Sequence, residues 1–214
     1  MRKLLAILLA FAQVAHAQSS HEAAKKWLEE ASQTLKEQRT VDIGFTYTFS
    51  NERVNPPVKR SEKGELQLKG DAYRLVLMGS EQICDGKMVY TILHEDEEVQ
   101  KAPAQSDNPE EESFHPMQVL ELYKKNFSYK LGGKETVKGQ DVQYIVLMPH
   151  ASEQLQRVVV GIYTKSKQLY SYEQQGTDGT VTRFVVDTYS ANTSLPAHYF
   201  QFDPKRFPGY YIPR

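Results

Sequence analysis

From Val41 onward, apolar and polar residues alternate along much of the chain. The first such run places small polar residues between five apolar ones, Val41, Ile43, Phe45, Tyr47 and Phe49. This two-residue period is typical of a β-strand with one apolar face. Similar runs follow, separated by turn signals such as Asp85-Gly86 and Asp178-Gly179. They predict about ten or eleven strands at hairpin spacing. Because strands do not alternate with helices, we expect one antiparallel sheet that curls strongly or closes.

A helix is predicted in front of the strands, over residues 19–38. Its apolar residues recur at helical spacing, and charged residues fill the other side; the apolar stripe consists of Ala24, Leu28, Ala31 and Leu35. Ser19 and Glu22 have the spacing of a capping box. Because the stripe is narrow, we expect one side of this helix to pack on the sheet.

A second, shorter helix is predicted in the middle of the chain, over residues 116–125. Pro116 suits its first turn, and Met117 and Leu120 form part of its apolar side. The preceding segment, 95–113, is acidic and has almost no apolar residues, so it is predicted to be a long loop. This loop either docks on a basic partner or forms a solvated edge beside the short helix.

The first 17 residues have the pattern of a secretory signal. Two basic residues precede an apolar run at 4–14 that is too short to span a bilayer, and Ala15-His16-Ala17 suits a signal peptidase. An uncleaved anchor is the alternative. Cleavage near Ala17/Gln18 leaves one domain, 18–214, without a cysteine at the cleavage point to accept lipid. The only cysteine is Cys84, so the chain has no internal disulfide.

Charge and motifs exclude several function classes. Without Arg2 and Lys3 the basic residues fall to 24 against 27 acidic ones, and no basic stripe indicates nucleic acid. No nucleophile elbow, phosphate loop or metal-ligand spacing occurs, so we predict no catalytic residues, no metal and no cofactor. A hydrolase built from scattered Ser, His and Asp residues remains an alternative without a supporting motif.

The predicted sheet has one unusually aromatic face. A closed barrel of about eleven strands is wider than one that its own side chains fill easily. Such a barrel is plugged, flattened or occupied by a ligand. Composition alone favours a packed β-core over a hollow one.

Several segments, in their order along the chain, resemble the periplasmic outer-membrane lipoprotein carrier family (LolA-like). The matching segments come after the amphipathic helix and together span most of the chain. The matching residues are Gly64-Glu65-Leu66-Gln67-Leu68-Lys69, Ile83-Cys84-Asp85-Gly86-Lys87-Met88-Val89-Tyr90, Tyr144-Ile145-Val146-Leu147-Met148-Pro149, Phe200-Gln201-Phe202 and Pro208-Gly209.

This resemblance implies a mainly β fold with helices (α+β). The expected fold is an incomplete, strongly curved antiparallel β-barrel covered by the N-terminal helix and a short lid helix. It implies a monomeric periplasmic carrier that takes lipoprotein acyl chains from an inner-membrane transporter to an outer-membrane acceptor. The cavity and lid residues expected from the resemblance are Phe45, Tyr47, Phe49, Leu66, Leu68, Tyr73, Leu75, Leu77, Tyr90, Met117 and Leu120. A regulator that senses lipids or lipoproteins on the same fold is the alternative, although the chain ends directly after the Phe-x-Phe segment.

The sequence departs from the family at one position. Studied carriers have an arginine that helps to hold the lid closed, whereas this chain has Gly70 at that place. The resemblance therefore implies that lid closure by an arginine is absent or has moved, with Arg74 and Lys69 as the candidates.

Overall fold

The computed structural model describes residues 20–104, 127–152, 154–196 and 198–213. Eleven antiparallel strands form one sheet in the order β6-β5-β4-β3-β2-β1-β11-β10-β9-β8-β7. The strands are β1 (Val41–Asn51), β2 (Val58–Lys69), β3 (Ala72–Leu77), β4 (Ser80–Cys84), β5 (Met88–Leu93), β6 (Glu98–Pro103), β7 (Phe127–Val137), β8 (Gln140–Pro149), β9 (Leu155–Tyr163), β10 (Leu169–Gly176) and β11 (Thr180–Ala191). Since β6 and β7 are the two edges, the prediction of an incomplete antiparallel barrel is confirmed.

Short turns connect many neighbouring strands, because the chain supplies residues that accept left-handed backbone angles. Met78-Gly79 and Lys138-Gly139 have positive φ at both positions, which is the geometry of two-residue hairpin turns that match strand twist. Gly70 likewise has φ 57° in the β2–β3 turn. The glycine at this position is therefore explained by the turn, since another residue would be strained there.

The pairing between the first and the last strand bends the sheet. β1 pairs with β11 along its full length, and the register shifts between Gly44 and Phe45, which face Thr188 and Val186. Asp187 is the extra residue of this β-bulge. A bulge bends its strand and increases the local twist. The bulge therefore adds curvature at the centre of the sheet, where β1–β6 meet β7–β11.

One helix of the described residues, α1 (20–36), packs on the inner face of the sheet, which is the face towards this helix. Ala24, Leu28 and Ala31 are buried against β8 and β9, where they contact a cluster of Ile145, Leu147, Val158, Val160 and Ile162. The Lys167 ammonium lies 3.3 Å from the centre of the Trp27 ring and 2.8 Å from a Glu30 carboxylate oxygen. These contacts confirm the predicted N-terminal helix and hold it across one end of the half-barrel.

The C-terminal segment, 198–213, covers part of the opposite, outer face of the sheet. Phe207 is buried there against Ile83, Ile92 and Val99. Tyr211 extends the edge of the sheet, because its N–H donates to Glu97 O and its carbonyl accepts from Val99 N, at 2.9 and 2.8 Å. The aromatic tail of the sequence is therefore a packed cover of β4–β6.

Several predicted segments lie wholly or partly outside the described residues. They are the secretory signal, the short helix 116–125 with Met117 and Leu120, and the part of the acidic loop 95–113 from residue 105 onward. The described part of that loop corrects the prediction, because Glu98–Pro103 forms β6 and pairs with β5. Val99, which lies between Glu98 and Gln100, is fully buried and holds this edge strand in place. No helix in the described ranges is both long and apolar enough to cross a bilayer.

Candidate functional site

A cavity of about 320 Å³ lies between α1 and the inner face of the sheet. This volume lies at the lower end of the roughly 300–1,000 Å³ of typical small-molecule pockets. Most of the described lining side chains are apolar, and none of them is charged. The lining residues are Ala31, Thr34, Leu35, Ile43, Phe45, Tyr47, Leu66, Leu68, Leu75, Leu77, Gln168, Leu169, Tyr172, Gln174, Thr182, Phe184 and Tyr189.

Cross-strand register brings these residues onto one face. Ile43 of β1 faces Leu66 of β2, which in turn faces Leu75 of β3. On the other side of β1, Tyr47 faces Phe184 of β11. Because alternate side chains of a strand share a face, rows of apolar residues line the interior without a gap.

At one end of the cavity the described lining includes residues of α1, and at the other end it consists of strand residues alone. α1 leads into β1, so its last turn covers the end of the sheet where β1 begins. The lining residues Leu77, Gln174 and Thr182 lie near the other ends of their strands, beside the β10–β11 turn and the β3–β4 turn. We call this second end the open end.

Of the eleven residues predicted from the sequence, six line the cavity, three lie elsewhere in the sheet, and two lie outside the described residues. The six are Phe45, Tyr47, Leu66, Leu68, Leu75 and Leu77. Phe49 lies on the inner face one step beyond the cavity, where it faces the lining residue Thr182. Tyr73 is fully buried in the inner core, and its hydroxyl donates to Gln82 Oε1 at 3.3 Å. Met117 and Leu120 lie outside the described residues.

Tyr90 lies on the outer face of the sheet, which corrects its assignment to the cavity. Its ring stacks on Phe202 of the C-terminal segment, with ring centroids 4.4 Å apart. The neighbouring Val89 faces the inner core instead. Both residues are apolar, so alternation in the sequence does not reveal which of them faces inward.

The sequence analysis missed several lining residues from other parts of the chain. Tyr172, Phe184 and Tyr189 come from β10 and β11, which lie next to β1 in the sheet although they are far away in sequence. Leu35 comes from the apolar stripe of α1. Alternation in β11 indicates one apolar face, but only the β1–β11 pairing shows that this face completes the cavity.

The cavity has a polar but neutral side near its open end. The Tyr172 hydroxyl donates to Gln174 Oε1 at 3.0 Å. Burial raises the pKa of Tyr172 to about 12, and burial also raises the pKa of Tyr189. Tyrosine is neutral near pH 7 even at its ordinary pKa, and burial keeps these two neutral at higher pH as well, so the described lining has no charge. Such a surface favours an apolar ligand over an ion, because an unpaired charge is costly to bury.

Arg74 does not lie over the cavity. It is on the outer face of β3, where its Nε donates to Glu81 Oε1 at 2.8 Å and its Nη1 to the Tyr199 hydroxyl at 3.3 Å. Glu81 is itself buried, and its Oε1 also accepts from Arg206 Nη2 at 3.5 Å. The suggestion that Arg74 replaces the lid-holding arginine of the family is therefore wrong. Lys69 is exposed, and a role for it in holding a lid stays a prediction.

Cys84 has a structural environment. It is fully buried, its Sγ accepts from Gly86 N at 3.3 Å, and burial raises the pKa of its thiol. A thiol with a raised pKa is a poor nucleophile. Within the described ranges, no group of three or more His, Cys, Asp and Glu side chains is arranged to hold a metal ion.

Comparison with solved structures shows similarity in fold at low sequence identity. An uncharacterized conserved protein from Thermus thermophilus superposes with a TM-score of 0.57 at 12% identity, over 90% of this chain and 99% of that one. The lipoprotein LppX from Mycobacterium tuberculosis gives 0.52 at 11% identity, over 83% and 99%. A LolA superfamily protein from Nitrosomonas europaea gives 0.41 at 10% identity, over 84% and 97%.

Sequence comparisons add no relative to these structures. No family model and no curated protein matches the chain. At identities this low, a structural likeness shows the fold and leaves the activity open. The fold is shared with the Thermus thermophilus protein and LppX, and it is the incomplete antiparallel barrel that the sequence resemblance implies.

Proposed function

We propose that the protein is a periplasmic carrier that shelters the acyl chains of lipoproteins or other lipids. The observation that carries this proposal is the mainly apolar cavity beneath α1, whose described lining residues are all uncharged. Such a lining suits the binding of an apolar ligand.

The energetics of acyl chains explain why such a cavity is useful. Exposing a chain to water costs about 0.8 kcal/mol per methylene, so ten methylenes cost about 8 kcal/mol. A protein that covers the chain offsets this cost while the lipid crosses an aqueous space. An apolar cavity of roughly 150 Å³ holds a benzene molecule, and the cavity described above is about twice as large. It therefore has space for part of one chain, and movable side chains or helices are needed for a longer one.

The location and partners follow from the sequence pattern and the family resemblance. Residues 1–17 are a cleaved signal in this proposal, and residues 18–214 are the single mature domain. The carrier then receives its cargo from an inner-membrane transporter and passes it to an outer-membrane acceptor. Both partners are inferred from the family alone.

Binding of acyl chains can be tested directly. Protein purified without detergent is expected to contain acyl lipids by mass spectrometry of an organic extract. After delipidation it is expected to bind a fluorescent fatty acid. Protein that contains no lipid and binds no fatty acid would contradict the proposal.

A matched pair of variants tests whether the cavity is the binding site. Thr182→Trp places an indole in the cavity near its open end, whereas Thr48→Trp makes the same change on the outer face of β1. Thr48 faces Arg183, the neighbour of Thr182, so the two sites are adjacent in the sheet. We expect Thr182→Trp to weaken fatty-acid binding by about tenfold or more, which is a loss of about 1.4 kcal/mol, and Thr48→Trp to leave it unchanged. Equal effects of both variants would show that the fatty acid binds elsewhere.

A further inference from the structure

A row of four residues crosses the inner face of the sheet at the open end of the cavity, where two of them, Gln174 and Thr182, are part of the lining. The strand registers place Gln174 opposite Thr182, Thr182 opposite Phe49, and Phe49 opposite Arg60. The row therefore runs through the four adjacent strands β10, β11, β1 and β2, over about 14 Å at the usual strand spacing. We call it the mouth row, because it lies at the open end of the cavity.

The mouth row changes the chemistry of the inner face. The next step inward places Tyr172 opposite Phe184, and Phe184 opposite Tyr47, all three of which line the cavity. The mouth row instead presents an amide, a hydroxyl and a guanidinium around one aromatic ring. An amphiphile with its chain in the cavity would therefore leave its head at this row.

Three side chains of the mouth row have unused hydrogen-bond donors. Within the described ranges, the guanidinium of Arg60 has no ion-pair partner, and the hydroxyl of Thr182 has no hydrogen-bond partner. The Gln174 amide oxygen accepts from the Tyr172 hydroxyl, and the Gln174 NH₂ group remains available as a donor. A guanidinium together with neutral N–H and O–H donors matches the oxygens of a carboxylate or a phosphate.

Glu62 is an acidic group on the same face, one step inward from Arg60 along β2. It lies two residues after Arg60 on β2 and faces Tyr47. Its carboxylate is not within ion-pair distance of Arg60 in the described structure. Glu62 would repel an anion one step further in, so an anionic head is favoured at the mouth row and disfavoured inside the cavity.

We infer that the mouth row Gln174–Thr182–Phe49–Arg60 binds the anionic head, a carboxylate or a phosphate, of an amphiphile whose acyl chain occupies the cavity. This inference rests on the proposed function and narrows its ligand class. Arg60 supplies the charge, and Thr182 and Gln174 supply neutral donors on the other side of the Phe49 ring. The ligand class is thus a fatty acid or an acidic phospholipid, rather than an acyl chain with an uncharged head.

Competition binding separates the head from the chain. The delipidated protein is first loaded with phenylnaphthylamine, a neutral dye that fluoresces in apolar sites. Dodecanoate, dodecyl phosphate or dodecanol then displaces the dye at about pH 8, where the carboxylate is ionised. The variants are Arg60→Gln and its control Lys59→Gln. Both remove one positive charge from neighbouring residues of β2, but Lys59 faces Ser50 on the outer face.

Arg60→Gln is expected to weaken dodecanoate and dodecyl phosphate about three- to tenfold while dodecanol is unchanged. Lys59→Gln is expected to change none of the three. An equal loss for dodecanol, or an equal effect of Lys59→Gln, would overturn the inference. Inorganic phosphate that binds the wild type as tightly as dodecyl phosphate does, and that fails to bind Arg60→Gln, would show a site for the free anion and would also overturn the inference. Failure of the dye and all three ligands to bind would instead contradict the proposed carrier function.

Discussion

Replacing Gly64 by alanine would push a cavity-lining ring out of its place. Gly64 of β2 faces Phe45 of β1, and a Cβ atom at Gly64 would overlap the Phe45 ring, with Cε2 and Cε1 only 2.6 and 2.9 Å away. Phe45 is 2% exposed and also packs on Phe184, with ring centroids 4.3 Å apart. The free space beside the displaced ring is the cavity itself. Gly64→Ala should therefore reduce both the stability of the fold and the space for a ligand.

The size of the effect follows from two opposing contributions. Forcing extra atoms into a packed site costs about 1–3 kcal/mol, and replacing glycine by alanine in a compatible backbone recovers about 0.4–1 kcal/mol through the unfolded chain. We expect a net loss of about 1–2 kcal/mol in the free energy of unfolding. For a chain of this length that corresponds to a fall of about 2–8 °C in Tm.

Gly133→Ala is the matched control. Gly133 is also a strand glycine, in β7, but a Cβ atom there meets nothing within 4 Å. We expect it to leave stability unchanged or to raise it by up to about 1 kcal/mol. Urea unfolding followed by circular dichroism gives both free energies, and titration with the fluorescent fatty acid gives the affinity. If Gly64→Ala were as stable as Gly133→Ala and bound the fatty acid equally well, Phe45 would not be held as the structure shows.

Two further predictions concern the outer face and the pH dependence of stability. Glu81→Gln leaves the Arg74 guanidinium without its buried partner, so urea unfolding should show a loss of about 3 kcal/mol in the free energy of unfolding. Arg206→Gln should lower this free energy by less than about 1 kcal/mol, because Arg206 is half-exposed and more distant from Glu81. Equal losses would refute the assigned partners. Burial raises the pKa of Tyr172 from 10.0 to about 12 in the folded state, so the unfolded chain loses this proton first. The contribution of Tyr172 to stability is thus complete below pH 10 and lost as the pH rises to about 12. Tyr172→Phe should flatten the fall in unfolding free energy over this range, and an unchanged slope would contradict the assignment.

Local patterns in the sequence account for most of the architecture. Alternation predicts the strands, the spacing of Ala24, Leu28 and Ala31 predicts α1, and glycine-containing turns such as Asp85-Gly86 predict the hairpins. These signals succeed because they depend on residues close together in the chain. The edge strand β6 was missed because only Val99 and Ala102 interrupt its polar residues, and its burial depends on β5 and the C-terminal segment.

The site is harder to predict because a strand can have apolar residues on both faces. Val89 and Tyr90 are neighbours with opposite environments, one in the inner core and the other beneath Phe202. Nothing in the local sequence distinguishes them. The C-terminal segment that covers the outer face makes Tyr90 a packing residue and removes it from the cavity.

By itself, the sequence determined α1, most of the strands, the hairpin order and the apolar side of β1, because each depends on periodicity and turn geometry over a few residues. Only the tertiary structure decided that β1 pairs with β11, since those residues are more than a hundred positions apart and their contact follows from closure of the whole sheet. That pairing, together with the placement of α1, leaves unfilled space on the inner face, because the side chains of a sheet this wide do not meet across it. The same pairing aligns Arg60 with Gln174 at the open end.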